Sequence, residues 1–123
     1  ELRLVRDYVE LQKMRFHEAL VFECSAEVPE GDLRLPHFAL LTLVENAVKH
    51  NAMTVESPLH IRISRAGRRI TVWNNRQSRP LHSPGNGSGI ANLRKRCQIL
   101  GHGELVVEET ADAFSVSFDL SPA

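Results

Sequence analysis

The sequence predicts an α/β two-layer domain: about five strands in a mixed, mostly antiparallel sheet, with helices covering one face. Three observations carry that reading. Apolar residues recur at helical spacing across 1–16, 37–51 and 90–100. They alternate with polar residues at strand spacing around 61–63, 70–72 and 114–120. Turn-forming residues separate these runs, as layered packing of helices on a sheet requires. The 123 residues suit one domain, and a chain of that length buries a core without disulfides or a structural metal.

Leu2, Val5, Val9 and Phe16 share one helical face, widened by Leu4, Tyr8 and Leu11, so residues 1–16 form an amphipathic helix on this reading. It is expected to enter from an upstream segment, with residues 17–123 as a single domain behind it. From Ala19 to Val28 the apolar residues thicken into a strand, closed by the turn signal at Pro29–Asp32. Pro36 stands where a helix can begin, and His37 to Asn51 carries a strong helical pattern. Ile61 and Ile63 alternate with polar residues, as do Ile70 and Val72, and the turn at Ala66–Arg69 joins them as a hairpin.

Residues 75–89 are rich in Gly, Pro, Ser and Asn and lack hydrophobic periodicity, so they read as a long loop. Loops of that length in compact domains are functional or disordered more often than not. Ile90, Leu93, Cys97 and Leu100 then line one face of a helix ending at Gly101 or Gly103. Leu105 to Glu109 and Phe114 to Leu120 close the chain as a second hairpin.

Lys and Arg number 15, as do Asp and Glu, and a formal net charge of zero argues against a nucleic-acid partner. Cys24 and Cys97 lie far apart without CxxC spacing and read as buried, reduced thiols. No run approaches the ~18 apolar residues of a membrane span, and no signal peptide is visible, so this segment itself does not insert into a bilayer. The chain opens at Glu1 inside a helical pattern, which reads as a piece of a longer protein.

Two segments carry chemistry. In Leu43-Val44-Glu45-Asn46-Ala47-Val48-Lys49-His50, the residues Leu40, Leu41, Val44, Ala47 and Val48 form one apolar side; Thr42, Glu45, Asn46, Lys49 and His50 fall on the other. Asn46, Lys49 and His50 stand at i, i+3 and i+4, so their side chains project together. An amide oxygen, an ammonium and an imidazole in one cluster suit a triphosphate with its Mg²⁺, which takes few protein oxygens and completes its shell with phosphates and water. A solvated face of an ordinary helix gives the same periodicity. The second segment, Gly85-Asn86-Gly87-Ser88-Gly89-Ile90, precedes a helix. Its glycines let backbone N–H groups approach an anion, and Ser88 can cap the helix. A flexible connector explains the glycines as well, and neither the P-loop nor the dinucleotide fingerprint is matched.

In order along the chain these segments resemble a known family. Residues 43–50 resemble the N box of histidine kinases of the LytS type. Gly87-Ser88-Gly89-Ile90-Ala91-Asn92-Leu93-Arg94-Lys95-Arg96 resembles their second glycine box, and Val5-Arg6-Asp7-Tyr8 with Gln12-Lys13-Met14-Arg15-Phe16 resembles the opening helix of their catalytic domain. The resemblance implies a Bergerat-type ATPase fold that transfers the ATP γ-phosphoryl group to a histidine. That acceptor would lie on an upstream segment of a homodimeric membrane sensor, itself served by a response regulator; this chain would be the sensor's cytoplasmic domain. By the same resemblance Asn46 would hold Mg²⁺, and Lys49 and His50 would contact phosphates or the nucleotide rim. Gly85, Gly87, Ser88, Gly89, Ile90 and Asn92 would line the ATP phosphates, and residues 75–86 would form the lid. Glu45 matches the motif as either a base or a surface carboxylate.

The sequence departs from the family's Asp-Asn-Gly box, whose Asp reads the adenine amino group. Here Asn74-Asn75-Arg76 stands in that place. Asn74 can still accept a hydrogen bond, though without charge assistance, so an Asp there is expected to tighten adenine binding. His17-Glu18 imitates a phosphorylation site but follows the opening helix and enters a strand, so it is not read as the acceptor. Competing readings are a nucleotide-binding or interaction module without kinase activity and a serine-kinase anti-sigma factor of the same fold; the opening helix disfavours the second.

Overall fold

The computed structural model describes residues 2–25, 33–34, 39–76, 93–95, 105–119 and 121–122. The elements in chain order are α1 (Leu2–Phe16), a 3₁₀ turn (His17–Ala19), β1 (Leu20–Cys24), β2 (Leu33–Arg34), α2 (Ala39–His50), β3 (Leu59–Ala66), β4 (Arg69–Asn75), β5 (Val106–Glu109), β6 (Ala113–Asp119) and β7 (Ser121–Pro122). Five strands form one sheet in the order β1-β3-β4-β6-β5. Only β1 and β3 run parallel; every other neighbouring pair is antiparallel. The parallel pair needs a crossover, and α2 supplies it.

Local sequence explains where these elements stop. Lys13 and Arg15 favour the carbonyl end of α1. His17 then takes φ +52, a left-handed conformation that ends a helix and that His tolerates better than most residues. Between β3 and β4 Gly67 has φ +61, the Gly-first pattern of a type II′ hairpin turn.

Strand alternation builds the core. Ile63, Val72 and Val116 lie side by side across three strands, and Ile61, Asn74 and Phe114 form the next row. Val5 and Val9 of α1 and Leu40, Leu43, Val44, Ala47 and Val48 of α2 are buried against this face. Burying each such valine or leucine contributes roughly 1.5–3 kcal/mol relative to leaving it in water. The other face of the sheet is polar and half-exposed. There the Arg62 guanidinium lies 5.2 Å from the Trp73 ring centre and 3.3 Å from Glu23, and the Thr71 and Ser117 hydroxyls bond at 2.9 Å.

The expected five-stranded sheet is present, with three differences at its edges. β1 stops at Cys24, and residues 26–32 lie outside the described residues, as do 36–38 before α2. Asn75 is strand rather than loop: it pairs with Ala113 as the last residue of β4. A separate two-stranded ribbon joins Leu33 to Pro122 and Arg34 to Ser121, too short to leave a periodic signal. Of the helix expected over 90–100, residues 93–95 are helical, with Leu93 buried and Arg94 and Lys95 exposed; its remainder lies outside the described residues. Among the described residues no helix is long and apolar enough to cross a membrane.

Candidate functional site

The polar side of α2 is divided rather than uniform. Thr42, Asn46 and His50 are half-buried along one edge, while Glu45 and Lys49 are exposed. At about 100° per residue Asn46 and His50 sit near one another, Lys49 stands outside them, and Glu45 lies roughly a quarter-turn away. Glu45 faces α1: burial, and next the Glu45 carboxylate, push the Tyr8 phenol above its ordinary pKa. The arrangement thus groups Asn46 with His50 and puts Glu45 beside the opening helix.

At its end α2 is closed by Asn51, 5% exposed, whose Nδ2 donates to the Ala47 carbonyl at 2.8 Å. That bond satisfies one of the carbonyls a helix end leaves open. A short turn follows, in which Thr54 and Ser57 bond reciprocally: the Thr54 N–H donates to the Ser57 carbonyl at 3.2 Å, and the Ser57 N–H to Thr54 Oγ1 at 3.0 Å. The chain then enters β3 at Leu59, opposite the end of β4. The chain leaving α2 thus leads through residues 51–58 into the strand that pairs with the last residues of β4.

The three residues of the departing box point three ways. Asn74 is 3% exposed in the inner row with Ile61 and Phe114. Its Nδ2 donates to the Asn75 carbonyl at 2.7 Å, which commits one of the amide's two N–H donors to the backbone and fixes which way Oδ1 faces. Asn75 turns toward β3, where its Oδ1 accepts from the His60 N–H at 2.7 Å and its Nδ2 donates to the Pro58 carbonyl at 3.0 Å. Arg76 turns toward the β5–β6 turn. Its backbone N–H donates to Asp112 at 2.8 Å, and its guanidinium reaches the Thr110 carbonyl at 3.0 Å and Glu109 at 2.7 Å.

Gly85, Gly87, Ser88, Gly89, Ile90 and Asn92 lie outside the described residues. Sequence reasoning missed Asn51, Asn75 and Arg76 as structural groups. An Asn just past an apolar helical run is a recognised helix-ending signal and could have flagged Asn51; the partners of Asn75 and Arg76 are distant in sequence. Among the described residues no three His, Cys, Asp or Glu side chains cluster as a metal site. A single amide oxygen such as that of Asn46, completed by ligand phosphates, is the kind of donor set Mg²⁺ accepts.

No protein-family model and no curated protein matches the sequence. Solved structures do match. A nucleotide-free form of the catalytic domain of histidine kinase ThkA has a TM-score of 0.66 at 20% identity, over 98% of this chain and 90% of that one. A second nucleotide-free form gives 0.63 at 19% identity, over 97% and 88%. Acinetobacter baumannii histidine kinase AdeS gives 0.56 at 14% identity, covering 97% of this chain and 62% of its own. At such identities the likeness shows the fold: this chain has the α/β fold of histidine kinase catalytic domains.

Proposed function

We propose that this chain is the ATP-binding catalytic domain of a sensor histidine kinase of the LytS type, passing the γ-phosphoryl group of ATP to a histidine on another segment of its parent protein. The observation that carries the reading is Asn74: an amide in an otherwise apolar row at the end of β4, its nitrogen bonded to the Asn75 carbonyl so that its oxygen is the atom presented. The exocyclic amine of adenine is a fitting donor to that oxygen. Bound Mg²⁺ would neutralise phosphate charge and orient the triphosphate. The chain's own residues would do the rest: Asn74 selects the base, Asn46 supplies an oxygen toward the metal, and Lys49 and His50 stand at the phosphate side. Phosphoryl transfer is largely positioning plus charge stabilisation, which such a constellation can provide. Glu45, beside Tyr8, fits a carboxylate at the α1–α2 contact better than a base acting on the phosphate.

Titration calorimetry tests this. The chain should bind ATP in a Mg²⁺-dependent manner, and Asn46→Ala should remove the Mg²⁺ dependence while melting like the parent, because Asn46 is only half-buried at the helix edge. Equal Mg-ATP binding by a normally folded Asn46→Ala protein would rule out the metal role.

A further inference from the structure

We propose that Asn75 is a positioning residue for base selectivity: it fixes the peptide that orients the Asn74 amide, so that the site presents an acceptor and prefers 6-amino over 6-oxo purine nucleotides. The inference rests on the nucleotide-binding reading above and adds to it the residue that enforces the choice.

An amide side chain can in general present either its oxygen or its nitrogen. At position 74 the choice is fixed by the Asn75 carbonyl, which accepts from Nδ2 at 2.7 Å. Turning the amide over would bring two acceptor oxygens to that separation. The constraint holds only while the Asn75 peptide keeps its orientation, and the Asn75 side chain holds it. The β3–β4 register extends to Ile61 opposite Asn74. Beyond it Pro58 has no N–H to offer, and the Asn75 side chain carries the pairing instead, with its oxygen on the His60 N–H at 2.7 Å and its nitrogen on the Pro58 carbonyl at 3.0 Å. On the far side the Arg76 N–H is tied to the Asp112 carbonyl at 2.8 Å. The Asn75 carbonyl thus sits between two anchors, and both polar atoms of the Asn75 side chain are committed. Adenine offers an amino donor at C6, which an oxygen accepts; guanine offers a carbonyl there, which the same oxygen repels.

The test measures Mg-ATP, Mg-GTP and Mg-tripolyphosphate binding to the parent chain, Asn75→Ala, Asn75→Asp and Asn74→Ala, each with a melting curve. The parent should prefer ATP. Asn75→Ala should lower the ATP-over-GTP ratio several-fold, mainly through ATP, and leave tripolyphosphate affinity unchanged. If Asn75→Ala does not fold, Asn75→Asp decides: it keeps the His60 bond, sets an acceptor against the Pro58 carbonyl, and should also lower the ratio. A folded Asn75 variant that weakens ATP and GTP by the same factor, or leaves the ratio at the parent's value, overturns the proposal while Asn74→Ala still abolishes selectivity. If Asn74→Ala itself keeps the parent's ratio, the base reading fails and the positioning role falls with it.

Discussion

Asn74 is a polar side chain in the strand face that otherwise carries Ile70 and Val72, and its nitrogen already has a use. That changes what substitution there should do. From sequence, Asp at 74 promises a stronger acceptor for adenine. In the structure the same change deletes the donor to the Asn75 carbonyl and places a carboxylate oxygen against it. A lost bond at a buried group costs about 1–3 kcal/mol, comparable to or larger than the expected gain in ligand binding. Asn74→Asp should therefore destabilise the chain by about 1–3 kcal/mol near neutral pH. Burial and the facing carbonyl would raise the new carboxyl's folded-state pKa above its unfolded value. The folded variant then binds the proton more tightly, and its deficit against the parent should shrink as pH falls toward about 4. Urea unfolding of both proteins at the two pH values measures this; a deficit independent of pH would show that Asn74 has no donor role.

Among the elements, α2 is legible in the sequence because its buried residues keep the helical period from Leu40 to Val48. β3, β4 and β6 are legible because their buried residues alternate. The end of β4 is not, since Asn75 is followed by Arg, Gln, Ser, Arg and Pro, and only its partner Ala113 marks it as strand. The β2–β7 ribbon, two residues per strand, has no period to read. Period also puts Glu45 on the polar side of α2 without telling which flank α1 will occupy; that is a tertiary fact, visible through Tyr8. Tyr8 is the only tyrosine, so its ionisation can be followed by tyrosinate absorbance. Its pKa is raised by burial first and by Glu45 second. The neutral phenol is the form the fold favours, so this contribution to stability is complete below the unfolded pKa and is lost as pH rises through the folded one. The midpoint should lie above that of a free tyrosine. Glu45→Gln should lower it part of the way and leave the share due to burial. No change in that variant would remove Glu45 from the α1–α2 contact.

At the scale of the molecule, one sheet has two different faces: an apolar one that packs on α1 and α2 and carries Asn74, and a polar one that carries Arg62 and Trp73. On the proposed function the chain binds nucleotide without labelling itself, since the acceptor histidine belongs elsewhere in the parent. His17, at φ +52 in the turn after α1, is part of the chain reversal into β1. Incubation with γ-labelled ATP should give no acid-labile phosphate on this chain, and addition of the parent's upstream segment should give acid-labile phosphate on that segment. Labelling of the chain alone, abolished by His17→Ala, would contradict that assignment. Nucleotide bound on the proposed surface lies against α2 and the end of β4, and amide and side-chain NMR during a Mg-ATP titration locates it. Saturable shifts are expected at Asn46, His50, Asn74 and Asn75, with the Trp73 indole on the opposite face nearly still. Shifts centred on Arg62 and Trp73, or none at α2 and the end of β4, would contradict that placement.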